Sequence, residues 1–124
     1  MVNYVYIFLG GGIGAAARYW LQDVVYSKTG SGFPYGTMAV NVLGSFVIGL
    51  LMSSMEERFL VQPTLRVFLT IGILGGFTTF SSFSFETISL FRDGQVLYGL
   101  FNALGTLLLC LIFTWVGIQL GKIV

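Results

Sequence analysis

Between Gly75 and Glu86 the chain reads Gly-Gly-Phe-Thr-Thr-Phe-Ser-Ser-Phe-Ser-Phe-Glu, inside an apolar run that begins near Val67. Each glycine costs a helix interior about 1 kcal/mol relative to alanine. Two threonines and three serines then alternate with four phenylalanines, and a glutamate closes the stretch. A plain membrane anchor needs no such mixture. The pattern predicts a helix broken at membrane depth, resumed as a second half-helix, and lined with small hydrogen-bond donors and aromatic edges. Non-helical backbone at that depth is tolerated only where it is buried in protein or faces a polar cavity.

Composition places this stretch in lipid. Hydrophobic residues make up 56% of the chain and charged residues 9%, against about 25% charged in a soluble domain. The reading is therefore an all-α integral membrane protein. With 124 residues it forms a single domain, 1–124. A net charge of +1 gives no bulk attraction for nucleic acid. The chain has no histidine, hence neither the usual metal ligand nor the usual neutral-pH base. A hydroxyl nucleophile lacks a partner base, and the lone Cys110 makes neither an intrachain disulfide nor a cysteine-pair metal site. These absences point away from an enzyme.

Four spans are expected, at 3–24, 35–55, 65–92 and 96–120. Each is long enough, since about 20 residues cross the hydrocarbon core. The start lacks a basic leader region and is read as a retained first span. That span carries the Gly10/Gly14 pair, a motif for close helix packing. Arg18 stands near its end beside Tyr19 and Trp20, either as a snorkelling interfacial cation or as a charge that gathers anions at a pore mouth. Residues 22–35 read as a loop, and Glu56 to Pro63 as a second loop with solvated charges.

Polar residues recur four apart on two spans. The second carries Thr37, Asn41, Ser45 and Gly49; the fourth carries Asn102, Thr106, Cys110 and Thr114. An amide in the membrane interior must find partners. Asn41 serves either as glue between helices or as a two-proton donor lining a polar path. The threonines either return their protons to the preceding turn or share that path. Glu86 is costly in lipid, so it faces a water-filled vestibule or pairs with a cation such as Arg18.

Orientation in the bilayer follows the excess of lysine and arginine in short loops. With four spans, Arg58, Arg66 and Lys122 fall on one side and Lys28, Arg92 and Arg18 on the other, three against three. The balance predicts insertion both ways and an antiparallel two-fold pairing of copies. Residue pattern alone reaches as far as a polar pathway for an anion. A small dual-topology multidrug/proton exporter needs a membrane-embedded carboxylate, which the first span lacks. A non-transporting membrane assembly subunit would use the same stripes only as glue.

Asn41-Val42-Leu43-Gly44-Ser45-Phe46, followed by the Gly75–Glu86 stretch, closely resembles the Fluc (CrcB-type) fluoride channels of microbes. Gly14-Ala15-Ala16-Ala17-Arg18-Tyr19 is similar to that family's first-span signature. The resemblance covers the whole chain in length, span number and motif order. It implies a dual-topology antiparallel homodimer in the bilayer of the cell (inner or plasma) membrane. That dimer would hold two pores that let cytoplasmic fluoride leak out and so relieve its toxicity. Phe80, Phe83 and Asn41 would contact fluoride, with Ser81, Ser82 and Ser84 as further donors. Thr106 and Thr114 would belong to a polar track that Cys110 joins as a weaker donor. Arg18 and Glu86 would stand near the pore entrances. The backbone carbonyls of Gly75 and Thr78 would hold a structural sodium ion between the subunits.

Overall fold

The computed structural model describes residues 1–58 and 62–123, except for the side chains of Glu57 and Arg58. The second loop expected from Glu56 to Pro63 therefore lies largely outside the described residues. All regular elements among the described residues are helical. They are α1 (Val2–Thr29), α2 (Tyr35–Arg58), α3 (Pro63–Val67), the π-helical π1 (Phe68–Leu74), α4 (Gly75–Phe77), α5 (Phe80–Arg92), α6 (Val96–Leu100), the π-helical π2 (Phe101–Gly105) and α7 (Thr106–Ile123). Three helical runs are long and apolar enough to cross a membrane: Tyr35–Glu56, Pro63–Arg92 and Val96–Ile123. α1 is longer than the first of these, but its glycines, tyrosines and Arg18 dilute its apolar character.

α1 continues through residues 25–29, where the residue pattern predicts a loop. Gln22 to Thr29 contains neither glycine nor proline, so nothing stops the helix before Gly30. Gly30 ends it at φ 77°, a left-handed conformation open to glycine. The α5–α6 turn is equally defined. Gly94 (φ 82°) donates its N–H to the Phe91 carbonyl, and the Gln95 N–H reaches Leu90. Those two bonds are the Schellman pattern, and they satisfy carbonyls that the helix end leaves free.

Two glycine seams set the packing. On α1, a Cβ at Gly14 would collide with the Ile73 carbonyl, and one at Gly10 would stand 2.8 Å from the Phe68 carbonyl. A Cβ at Gly76 would stand 2.5 Å from the Gly11 carbonyl. The second seam joins α2 and α7. There Gly49 abuts the Thr114 carbonyl, Gly117 abuts that of Phe46 and Gly121 that of Leu50. Bare backbones in contact gain dispersion and Cα–H···O contacts that side chains would prevent.

The interior is polar and the outside apolar. Thr37, Asn41, Ser53, Thr87, Asn102 and Thr106 are buried, whereas Phe101, Leu104, Leu108, Leu111 and Trp115 are exposed. That inversion suits a solvent of lipid tails, where polar groups must find partners inside the protein.

Candidate functional site: two cavities around Thr78 and Thr79

Two residues between α4 and α5 leave the helical region. Thr78 has φ −90° and ψ 158°, and Thr79 has φ −151° and ψ 106°. The extended pair turns peptide groups sideways, and side chains from elsewhere claim them. Asn41 holds Thr79 at both ends: its Nδ2 donates to the Thr79 carbonyl at 3.0 Å, and the Thr79 N–H donates to Oδ1 at 2.7 Å. Arg18 Nε donates to the Gly76 carbonyl at 3.1 Å. A cation at a helix C-terminus is favoured both by the free carbonyl and by the local dipole. Thr79 Oγ1 accepts from the Ser82 N–H at 3.2 Å and so caps the start of α5.

A cavity of about 370 Å³ opens on one side of this crossing. Asn41, Ser45, Gly75, Thr78, Phe80, Phe83, Thr106 and Cys110 line it, with no charged residue among them. The Phe80 and Phe83 rings stand 5.5 Å apart at 47°. Asn41 spends one amide proton on Thr79, and a second remains. Phe80 is 74% exposed, so the cavity is open on that wall within a single chain.

A second cavity, of about 490 Å³, is lined by Tyr19, Gln22, Asp23, Tyr26, Thr37, Ser81, Ser82, Phe85 and Glu86. Glu86 is its acceptor. The Thr37 hydroxyl contacts its two oxygens at 2.6 and 3.0 Å, and the Tyr26 hydroxyl reaches Oε2 at 3.4 Å. Gln22 Nε2 in turn donates to Thr37 Oγ1 at 3.1 Å. The Thr37 and Tyr26 hydroxyls, and not Arg18, hold the carboxylate.

The residues singled out from sequence thus divide. Asn41, Gly75, Thr78, Phe80, Phe83, Thr106 and Cys110 come together on the first cavity. Ser81, Ser82 and Glu86 line the second. Arg18 lines neither and binds the Gly76 carbonyl at the helix end. Thr114 lines neither cavity and sits on the α2–α7 seam. Gln22, Tyr26 and Thr79 escaped sequence reasoning. The first two are four apart in a segment without a helix breaker, and a threonine just before a resumed helix is a capping signal.

Comparison with known proteins identifies the family. The family model described as CrcB-like protein, Camphor Resistance (CrcB) matches residues 5–118. A relative named fluoride-specific ion channel FluC from Geotalea daltonii is 48% identical over 122 residues, covering 98% of each chain. The protein of the same name from Geotalea uraniireducens is equally similar over the same span. That of Magnetococcus marinus is 43% identical over 119 residues, 96% of this chain and 97% of its own. With its apolar helical runs and this match along nearly its whole length, the chain is a multi-pass membrane protein that belongs to the CrcB family.

Proposed function

We propose that the protein is a fluoride-selective passive channel that lets cytoplasmic fluoride leave the cell and so limits its toxicity. The relatives' shared name supports the ion. The observation that carries the reading is the first cavity, which Asn41, with an amide proton to spare, and the rings of Phe80 and Phe83 line without any formal charge. Fluoride is small and strongly hydrated, so a path must replace its water with donors. Ring edges are electropositive, and amide and hydroxyl groups donate. A fixed cation would hold the ion too tightly, because conduction needs entry and exit alike.

The open Phe80 wall supports a homodimer, since a single chain leaves the path uncovered. In this reading α1 is a fourth span and the third span is the one interrupted at Thr78 and Thr79. Two copies lie antiparallel in the cell's inner membrane with two pores between them. A structural sodium ion at the dimer centre fits the residues present. Asn41 takes both polar groups of Thr79 and Arg18 takes the Gly76 carbonyl. The Gly75 and Thr78 carbonyls receive no hydrogen bond from a side chain or another element among the described residues. They are the hard oxygen donors such a cation needs, and the ion would hold the two subunits in register.

The test is efflux from liposomes containing the purified protein, read with fluoride and chloride electrodes. Fast fluoride loss without chloride loss is expected. Equal loss of both ions, or of neither, rejects the proposal.

A further inference from the structure

A hydroxyl has one proton, and that fixes the order of a hydrogen-bonded chain between π2 and α5. Thr87 Oγ1 stands 2.7 Å from the Phe83 carbonyl, a contact that requires Thr87 to be the donor. Thr87 therefore accepts from Asn102 Nδ2, at 2.8 Å. With the amide nitrogen turned to α5, the amide oxygen faces Thr106, whose hydroxyl donates to it at 3.2 Å. All three side chains are buried, with Asn102 only 1% exposed, and no buried side-chain polar atom among the described residues lacks a partner.

Resting on the channel reading above, we propose that Asn102 is a positioning residue of the pathway. Through Thr87 it clamps the Phe83 turn of α5 against π2, and so fixes where the Phe83 ring stands on the cavity wall. Asn102 does not line that cavity; it acts one bond removed from it. The same amide takes the Thr106 proton, so that hydroxyl has none left for the cavity. Contact with an anion then falls to Asn41, Ser45, Cys110 and the phenyl rings, so the placement of Phe83 counts directly.

The experiment uses the full chain in liposomes with a fluoride electrode, and the same chain carrying para-fluorophenylalanine at position 83 for fluorine NMR. Thr87→Val removes the hydroxyl at nearly constant volume, and Thr87→Ser keeps it. Thr87→Val should slow fluoride efflux about tenfold and move the resonance of position 83. Thr87→Ser should stay within about twofold of the parent, with its resonance in place. Adding Asn102→Leu to Thr87→Val should lower efflux no further, as expected for members of one network. Additive losses, a resonance unmoved by Thr87→Val, or equal effects of the two Thr87 variants overturn the proposal. Where Asn102→Leu yields no monodisperse protein, the Thr87 pair decides alone. A parent protein that conducts no fluoride rejects the channel reading instead, and the resonance then decides whether the clamp exists.

Discussion

Asn41 grips the peptide groups of Thr79, 38 residues away, by donating to its carbonyl and accepting from its N–H. The side chain thus stands in for the helical hydrogen bonds that the extended residues give up. Asn41→Ala leaves both groups unpaired, at about 1–3 kcal/mol for each buried polar group. It should lower the thermal midpoint in detergent and slow fluoride efflux by more than about tenfold. Ionised, Asn41→Asp keeps an acceptor for the Thr79 N–H but has no donor, and it sets an unpaired negative charge on the path. It should be at least as slow as Asn41→Ala. An Asn41→Asp protein with parental efflux would show that the amide proton has no part in conduction.

Arg18 caps a helix end, and its removal should register first as lost stability. Arg18→Leu deletes the bond to the Gly76 carbonyl, worth about 1–2 kcal/mol for a charged donor only partly shielded from solvent. Thermal unfolding followed by tryptophan fluorescence measures it. An unchanged midpoint would mean that the carbonyl finds another donor.

The glycines divide sharply by position. Gly14→Ala and Gly76→Ala place a methyl against backbone across the α1 seam, and neither should yield monodisperse protein. Gly12→Ala meets nothing within 4 Å and gains helix propensity, up to about 1 kcal/mol. Size-exclusion profiles compare the three directly. A well-behaved Gly14→Ala protein would contradict the close approach of α1 to π1.

Cys110 is half-buried on the first cavity. A small methanethiosulfonate reagent should attach there and stop fluoride efflux, while Cys110→Ser should conduct within about twofold of the parent and resist the reagent. Block of both proteins would place the reactive event elsewhere.

Sodium removal tests the proposed central ion. Dialysis against a large organic cation should weaken the dimer or its activity, seen by crosslinking and by efflux. Indifference to sodium would leave the Gly75 and Thr78 carbonyls without that role.

The stretch from Gly75 to Glu86 was legible because paired glycines, hydroxyls and aromatics conflict with a simple span. The partners of its backbone were not legible, since no local pattern says that Asn41 will reach Thr79 or that Arg18 will reach Gly76. The fourth-span stripe shows a different limit. Positions four apart advance about 40° beyond a full turn at each step. Asn102 therefore turns to Thr87, Thr106 and Cys110 border the cavity, and Thr114 ends on the α2 seam. The π-helical turns add a further rotation that a 3.6-residue period cannot reveal. The end of α1 was hidden by polar residues that look like loop but contain no breaker before Gly30.

The π-helical turn at Phe101–Gly105 makes chain length a constraint in its own right. Deleting one residue from the α-helical turn after it would rotate α7 about 100° against α6, whereas a deletion within the wide turn can be taken up by tightening it to α geometry. In the first case Asn102 would lose Thr106 although every remaining side chain was unchanged. Just past the π turn, then, a single-codon deletion should do more harm than most substitutions, and a compensating insertion beside it should restore what no point change can.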